Sequence, residues 1–317
     1  MRKRTSSVEN WEQITVSADE LRKAVISGHI ENFRRTTDGM LHKTTNRGEA
    51  DMYKQLGATD AAAFLPELRS VKESLGNQCI IELQDLTFGV ADACLMDVKM
   101  GQRTFTEDDA GSSELRSDLM QKMLKVDSNA ATPEELAAGG ISKMRYLQFR
   151  EQSTTSRTLG FRVDAVQLAE GSPSESRTRN LLLPRRPASA DQEMMRSHLA
   201  TGIDSAVPDP GELKTITSKE QVRKTIGQYV QQRPQLLDAF LPQLRALRET
   251  LQANEEFALH SFIRTSLLFV YSGVTNEAKL AMIDFPRCTE RLPSKITHRE
   301  AWAPGNHEDG YLVGVDN

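Results

Sequence analysis

The 317-residue chain has few cysteines and no long apolar run, and both absences narrow the classes of protein to which it can belong. Its three cysteines, Cys79, Cys94 and Cys288, are odd in number and far apart. We therefore expect neither a disulfide framework nor a cysteine-based zinc site, and we predict a reducing compartment, the cytoplasm. No run reaches the length of about 18 apolar residues that a membrane helix needs, so we predict no membrane span and no signal peptide.

Several catalytic motifs are missing as well. The chain contains neither the G-x-S-x-G of serine hydrolases nor the H-E-x-x-H of metalloproteases, and its six histidines are scattered. The phosphate-binding G-x-x-x-x-G-K-[ST] and the dinucleotide-binding G-x-G-x-x-G are also absent. A net charge of -4 argues against nucleic acid as the main partner. The composition, 38% hydrophobic and 26% charged, is that of an ordinary globular protein with one large or two-lobed domain.

The most informative feature present is the segment 97–101, Asp-Val-Lys-Met-Gly, which follows a short apolar run. If this segment is a strand, Asp97 and Lys99 point to the same face. One face then offers a carboxylate suited to a ribose hydroxyl or a metal ion, next to an ammonium group suited to a phosphate. A solvated pair of charges is the alternative interpretation of so short a motif.

Two further residues at the ends of predicted strands could contact a nucleotide. Asp284 closes the apolar segment 279–283, and one such carboxylate is enough to hold Mg²⁺ against phosphates, because Mg²⁺ keeps most of its waters. An aspartate that starts a turn is the alternative. Lys43 ends a predicted N-terminal strand and could contact phosphates as the strand lysine of protein kinases does, or it could simply be exposed.

Basic residues concentrate in segment 141–162, which carries a net charge of +4 in a chain that is negative overall. Clustered basic groups beside the small hydroxyls of residues 153–156 suit a compact polyanion, because arginine can bind phosphate in a bidentate manner. A solvated charged face is the alternative. Neither aromatic interleaving nor a recognition-helix pattern occurs, so DNA is not the expected ligand. The basic residues are Lys143, Arg145, Arg150, Arg157 and Arg162.

The hydrophobic pattern predicts an α+β chain. The apolar stripe of Leu115, Leu119, Met123 and Val126 predicts a helix. Residues 132–135, Thr-Pro-Glu-Glu, have the composition of a helix start. We also predict helices over 49–56, from 219 and over 240–251, where Pro242 kinks or starts the helix. Strands are predicted as a hairpin between about 24 and 43, at 79–83, up to Asp97, at 146–149, at 160–166, and as a hairpin of 266–271 with 279–285.

Taken in order, these segments resemble the inositol polyphosphate kinases, most closely the inositol 1,4,5-trisphosphate 3-kinase branch. Segment 97–105 is similar to the family's D-x-K-M-G-x-R-T-[YF] motif. The R-Y-L-Q-F-R-E of 145–151 and the T-L-G-F-R of 158–162 resemble two further blocks. Shorter matches are S-L-L-F at 266–269, M-I-D-F at 282–285 and G-N-H-E-D-G-Y at 305–311. The resemblance extends from about Val25 to Asn317, apart from the 171–213 stretch.

The resemblance implies a two-lobed, protein-kinase-like α+β fold with a helical substrate-binding insertion. Its expected divisions are a polar tail over 1–20, an ATP-binding lobe over 21–88 and a catalytic lobe over 89–317. Within the catalytic lobe, 112–138 is the expected helical insertion that grips the inositol phosphate, and 171–213 is a second insertion rich in Ser and Pro.

The same resemblance implies roles for individual residues. Lys43 and Asp97 would bind ATP, Gln84, Asp85 and Leu86 would form the adenine hinge, and Asp284 would hold Mg²⁺. Lys99 would lie between the transferred phosphoryl group and the inositol, with Arg287 beside the active site and Glu49 paired with Lys43. The residues implied to hold the inositol phosphates are Arg116, Lys122, Lys143, Arg145 and Arg150.

The implied reaction is ATP- and Mg²⁺-dependent phosphorylation of the 3-hydroxyl of inositol 1,4,5-trisphosphate, in calcium signalling. A broader inositol polyphosphate multikinase is an alternative, although the helical stretch 112–138 speaks against it. A protein that binds inositol phosphates without turnover is another, motivated by three departures from the family pattern: Glu31, Gln167 and Pro286. Ser117 is a further departure, in the predicted substrate helix. The calmodulin-binding segment often found upstream in this family is not clearly present here.

Overall fold

The computed structural model describes residues 17, 21–26, 30–74, 76–169, 210–231 and 233–317. The tail predicted over 1–20 lies almost entirely outside these residues, as do residues 27–29 of the predicted N-terminal hairpin. Most of the 171–213 stretch also lies outside them; its described part is residues 210–213.

The first sheet is antiparallel, with strand order β1-β2-β4-β3. The β1–β2 pairing confirms the N-terminal hairpin, but its first strand begins at Phe33, because the apolar residues Ala24 to Ile26 lie outside the sheet. Lys43 does not end its strand, as the sequence suggested, but lies within β2. The strands are β1 (Phe33–Arg35), β2 (Met40–Asn46), β3 (Leu68–Glu73) and β4 (Gln78–Gln84).

The second sheet is also antiparallel, with order β6-β5-β7-β8. Every residue of β7 is buried, which explains why its sequence reads as a continuous apolar run rather than an alternation. The hairpin predicted from residues 266 to 285 is confirmed as the β7–β8 pair. The predicted strand up to Asp97 continues to Met100. The strands are β5 (Ala93–Met100), β6 (Phe161–Gln167), β7 (Ser266–Ser272) and β8 (Ala278–Ile283).

Helices flank these sheets and complete the α+β fold that the sequence predicts. None of the described helices is both long and apolar enough to cross a membrane. Two short 3-10 helices cover Ile30–Asn32 and Asp60–Phe64. The α-helices are α1 (Arg47–Gly57), α2 (Glu107–Gly111), α3 (Ser117–Val126), α4 (Pro133–Ala138), α5 (Lys143–Gln152), α6 (Ser156–Leu159), α7 (Pro210–Leu213), α8 (Lys219–Tyr229), α9 (Pro234–Ala253), α10 (Glu255–Ala258) and α11 (Tyr311–Asp316).

The prediction of a strand at 146–149 is wrong, because these residues lie within helix α5. The helix begins at an N-cap, where the Ser142 side chain accepts a hydrogen bond from the backbone N–H of Arg145. Phe149 is buried, and Tyr146 packs beside it against a small apolar cluster with Leu119 of α3. So short an aromatic-rich run does not distinguish a strand from a buried helix.

Two helix predictions also need correction. In the stripe predicted for α3, Leu119 and Met123 are buried, but Leu115 precedes the helix and is exposed, as is Val126. Of the two alternatives for Pro242, a helix start is wrong, because Pro242 lies inside α9, which begins at Pro234. The helix start predicted at 132–135 is confirmed: Thr132 and Glu135 form a capping box at α4.

One large apolar cluster of the described residues connects the two sheets. It includes Ile81 of the first sheet, Met96 and Leu267 of the second, and Leu56 of α1. Phe285, the second residue after β8, is fully buried in this core, and its ring meets that of Tyr53 from α1 edge-on at 4.8 Å between centroids. The residue before it, Asp284, is therefore held at the border between the sheets.

Close backbone packing at Gly160 fixes the start of β6 against α11. Gly160 has φ +72°, and a Cβ added there would lie 2.5 Å from the backbone nitrogen of Gly314. Both the left-handed conformation and the lack of space therefore require glycine at this position.

We predict that Gly160→Ala lowers the free energy of unfolding by about 3 kcal/mol, because the methyl group clashes with backbone and the residue is strained. Gly57→Ala, at the end of α1, is the matched control: no atom lies within 4 Å of its added Cβ. That control should gain about 0.5 kcal/mol from its higher helix propensity. Urea unfolding of both variants measures the difference, and equal stabilities would contradict the packing described.

Candidate active site

A lysine of the first sheet and an aspartate of the second meet at the border between the sheets. The Lys43 Nζ donates to Asp284 Oδ1 at 2.7 Å and to Glu49 Oε1 of α1 at 2.7 Å. Glu49 is fully buried and Lys43 is nearly so. The Lys43–Glu49 pair expected from the resemblance is thus present in the structure.

The start of helix α1 holds this arrangement together. The Asn46 side chain caps the helix by accepting from the Glu49 N–H at 2.9 Å, and it donates to the carbonyl of Pro286 at 2.8 Å. Glu49 Oε1 also accepts from the Phe285 N–H at 3.0 Å. Residues 284–286 are therefore hydrogen-bonded to α1, and Asp284 keeps a left-handed backbone, φ +67°.

Lys99 occupies the same site from the second sheet. It pairs across the strands with Ser266, and its Nζ donates to the Ser266 hydroxyl at 2.6 Å and to Asp284 Oδ2 at 3.0 Å. The carboxylate of Asp97 lies 3.5 Å from the same nitrogen, which confirms that Asp97 and Lys99 share a face of β5. Asp284 therefore accepts one hydrogen bond from Lys43 and another from Lys99.

These contacts keep all three groups charged. Burial alone would lower the pKa of Lys43, but the carboxylates of Asp284 and Glu49 outweigh it and raise that pKa. The pKa of Lys99 is raised in the same way against its burial, by Asp97 and Asp284. Burial would raise the pKa of Asp284, but the two lysines hold it well below the usual range.

A cleft with an empty volume of about 650 Å³ ends at this cluster. Its walls are mostly apolar and include Leu41, Leu83 and Leu268, whereas Lys43, Asp97 and Asp284 form its polar part. Such a cleft suits a ligand with a flat apolar end and a charged end. Among the described residues no cluster of three or more His, Cys, Asp or Glu could hold a metal ion. The donor set at Asp284 fits a metal that takes most of its ligands from water and phosphate, as Mg²⁺ does.

The three predicted hinge residues differ in orientation. Gln84 and Leu86 line the cleft. The side chain of Asp85 is buried elsewhere: it accepts from Arg35 Nε at 2.6 Å and from the Thr87 N–H at 2.8 Å. Its carboxylate therefore fixes the turn after β4 and does not line the cleft.

The basic residues predicted to hold inositol phosphates fall into two groups. Lys143, Arg145 and Arg150 lie on α5, where Lys143 pairs with Asp109 at 2.8 Å and Arg145 with Glu135 at 2.7 Å. Arg145 also donates to the carbonyl of Ala130 at 2.7 Å, so it supports the loop before α4. The second group consists of Arg116, just before α3, and Lys122, within α3, and both pair with Asp118 at the surface.

The hydroxyl run of residues 153–156 does not supply a phosphate site. Ser153 donates to the carbonyl of Phe149 at 2.7 Å, and Thr155 donates to that of Phe161 at 2.7 Å. Thr154, Thr155 and Ser156 are buried. The hydroxyls of Ser153, Thr154 and Thr155 donate to backbone carbonyls at the end of α5 and the start of β6 and are therefore not available to a polyanion.

The residues that depart from the family pattern have ordinary structural positions. Pro286 accepts from Asn46, and Gln167 ends β6 opposite Leu95. Ser117 begins α3, and the backbone carbonyl of Glu31 accepts from Arg34. None of these contacts blocks the cleft described above.

Two residues near Lys99 were not predicted as site residues. Ser266, part of the S-L-L-F motif, holds the Lys99 amine, and a cross-strand pairing model would have found it. Arg264 lies two residues earlier with φ +58° and has no motif that marks it.

Comparisons with known proteins agree with the motifs. A family model described as inositol polyphosphate kinase matches residues 80–317. Human inositol-trisphosphate 3-kinase A is 33% identical over 298 residues, which are 92% of this chain and 56% of that protein. The rat enzyme of the same name is 32% identical, over 92% of this chain and 57% of its own length. The chain thus spans about half the length of these curated relatives.

A solved structure also resembles this one. The structure of an inositol phosphate multikinase aligns with a TM-score of 0.50 at 16% sequence identity, covering 84% of this chain and 94% of that one. This likeness concerns the fold and agrees with the two sheets and flanking helices described above.

We predict that Lys99→Met lowers the free energy of unfolding by about 3 kcal/mol at pH 7, because it leaves Asp97 and Asp284 close together without the amine between them. Asp284→Asn should cost less, because it leaves one carboxylate for each lysine. Lys54→Met is the control: Lys54 forms an exposed pair with Asp51 and should change stability by less than about 0.5 kcal/mol.

The loss of unfolding free energy caused by Lys99→Met should become smaller as the pH falls. In the unaltered protein the lowered pKa of Asp284 contributes stability above the ordinary aspartate pKa, and this is lost as the pH falls through the folded-state value. In the variant the two carboxylates favour their protonated forms, so acid relieves their repulsion. Denaturant unfolding of both proteins between pH 7 and 4 measures this change. A difference in unfolding free energy that stays constant over this range would contradict the proposed role of the charge cluster.

Proposed function

The chain belongs to the inositol polyphosphate kinase family, and on that premise we propose that it transfers the terminal phosphoryl group of ATP to the 3-hydroxyl of inositol 1,4,5-trisphosphate. The product would be inositol 1,3,4,5-tetrakisphosphate, within calcium signalling. The observation that carries the proposal is the charge cluster in which Asp284 meets Lys43 and Lys99 at the polar part of the cleft.

The cleft supports nucleotide binding. Its apolar walls fit a purine ring, with Gln84 and Leu86 at the edge where the hinge is proposed. Lys43 would contact phosphate and Asp97 a ribose hydroxyl. Asp284 would hold Mg²⁺, which supplies positive charge to offset that of the phosphates.

Lys99 is the residue proposed to act on the transferred group. Its ammonium group is kept charged by Asp97 and Asp284, and Ser266 fixes its position. A preorganised positive charge at this place stabilises the negative charge that phosphoryl oxygens carry in the transition state. Phosphoryl transfer through a loose transition state depends mainly on such positioning and charge, so a strong general base is not required.

Helices α3 to α5 support an inositol polyphosphate as the acceptor. They carry the basic residues proposed to bind it, and Arg150 forms no ion pair with a carboxylate in the described part of the chain. Arg287, exposed and three residues beyond Asp284, would lie beside the acceptor. All three cysteines are free, which agrees with a proposed cytoplasmic location.

The test is incubation with ATP, Mg²⁺ and inositol 1,4,5-trisphosphate, followed by anion-exchange separation of the products. We expect one tetrakisphosphate, with the new phosphate at position 3. Lys99→Met should lower kcat/KM by about 100- to 1,000-fold, because it removes a charge that stabilises the transition state. The surface control Lys54→Met should retain full activity.

Other outcomes would contradict the proposal in different ways. Comparable turnover of several inositol phosphates, or products beyond the tetrakisphosphate, would favour a broader multikinase. Tight binding of inositol 1,4,5-trisphosphate without consumption of ATP would favour a binding protein. Unchanged turnover in Lys99→Met would remove Lys99 from the transfer step.

A further inference from the structure

Arg264 stands out because its backbone conformation is unfavourable for an arginine. Its φ is +58°, in the left-handed region that glycine and asparagine occupy most readily. Its neighbours Ile263 and Thr265 are almost fully buried, so the surrounding structure holds the residue in place. Strain of this kind persists where the structure over-determines it, and it concentrates at functional sites.

Arg264 lies two residues before Ser266, the residue of β7 that pairs with Lys99. Arg162 of β6 pairs with Lys99 of β5, and Lys99 pairs with Ser266 of β7, so these three residues form one row across the sheet. Side chains directly opposite one another share a face, as the Lys99–Ser266 hydrogen bond shows. Arg264 precedes this row by two residues, and Arg287 follows Asp284 by three. Arg162 therefore lies next to Lys99 in the sheet, and Arg264 and Arg287 lie close along the chain to Ser266 and to Asp284.

These arginines are close enough to affect one another. Burial, together with the charges of Arg287 and Arg162, lowers the pKa of Arg264 to about 10, against opposing contributions from Asp109 and Glu151. Both of those carboxylates have other partners: Asp109 pairs with Lys143, and Glu151 accepts from Thr104. In the described part of the chain neither Arg264 nor Arg287 forms an ion pair with a carboxylate, whereas Arg162 pairs with Asp164 at 3.2 Å.

Arg264 contacts Thr104, which does not line the nucleotide cleft. Its Nε donates to the carbonyl of Thr104 at 2.7 Å, and Thr104 donates from its N–H and hydroxyl to Glu151 of α5 at 2.6 and 2.8 Å. Helix α5 also carries Lys143 and Arg150, which are proposed to bind the acceptor. None of the three arginines lines the cleft.

We propose that Arg264, with Arg162 and Arg287, forms a phosphate-binding subsite on the acceptor side of Lys99, an inference that rests on the proposed function. A phosphate monoester fits this subsite because it carries close to two negative charges and three acceptor oxygens. Guanidinium groups bind such a group with planar, paired hydrogen bonds. Arg264 is thereby a specificity residue: it favours inositol phosphates with a phosphate at the position that it contacts.

The test is calorimetric titration without nucleotide, so that binding is measured apart from turnover. The ligands are inositol 1,4,5-trisphosphate and the three bisphosphates that each lack one of its phosphates. Arg264→Gly should bind the trisphosphate at least about tenfold more weakly, because a charge-assisted contact is lost. For the one bisphosphate that lacks the contacted phosphate, Arg264→Gly should bind as tightly as the unaltered protein does. Arg264→Lys should retain part of the affinity.

Two controls accompany this experiment. Arg248→Gln removes an equal charge from an arginine of α9 that pairs with Asp316, and it should bind every ligand as the unaltered protein does. The thermal midpoint of Arg264→Gly should change little, because the strain that glycine relieves offsets the lost hydrogen bond to the Thr104 carbonyl. A folded Arg264→Gly protein with weakened binding therefore reports the guanidinium group.

Three results would contradict the inference. Unchanged binding of the trisphosphate by Arg264→Gly would show that the residue binds no phosphate. If Arg264→Gly bound all four ligands more weakly by the same factor, the arginine would exert a general charge effect and would not form a subsite. If the unaltered protein binds none of the ligands, the proposed function fails and the subsite with it, an outcome distinct from the first two.

Discussion

The carboxylate of Asp284 is the contact on which the rest of the site depends, because it accepts hydrogen bonds from a lysine of each sheet. Lys43 approaches from the first sheet and Lys99 from the second, at 2.7 and 3.0 Å. Phe285 anchors the next residue in the core, and Glu49 holds both Lys43 and the Phe285 N–H. Three carboxylates and two lysines are thus packed together with little exposure, and each depends on its neighbours to remain charged.

This arrangement is suited to a ligand with its own negative charge. Before binding, Asp284 satisfies both lysines. A phosphate beside Lys43 and Lys99 would supply the same partner, and the Asp284 oxygens would then be available to a hard cation. The same charges therefore contribute to the stability of the folded chain and to the proposed chemistry. For this reason Lys99→Met should affect both unfolding and turnover.

Local patterns in the sequence predict much of this site. Period-two spacing correctly assigns Asp97 and Lys99 to one face of a strand, and the apolar segment before Asp284 correctly indicates β8. The ordered motifs identify the family and the fold. Patterns within a segment do not show which distant residues a side chain contacts. The Asp85 carboxylate accepts from Arg35 and does not line the cleft, and residues 146–149, predicted as a strand, lie in helix α5.

Arg264 is a further example of what local patterns cannot reveal. Nothing in its neighbourhood along the chain distinguishes it from a surface arginine. Its importance arises from its left-handed backbone and from the cross-strand pairing that brings Arg162 next to Lys99. Both depend on tertiary contacts that only the folded chain provides.

A crystal structure with a non-hydrolysable ATP analogue, Mg²⁺ and inositol 1,4,5-trisphosphate would show which groups Asp284 and Lys99 contact in the complex. We expect the nucleotide in the cleft, the metal ion on Asp284, and the Lys99 amine between the terminal phosphate and the 3-hydroxyl. A nucleotide bound elsewhere, or a Lys99 amine that contacts neither ligand, would contradict the proposed roles of these residues.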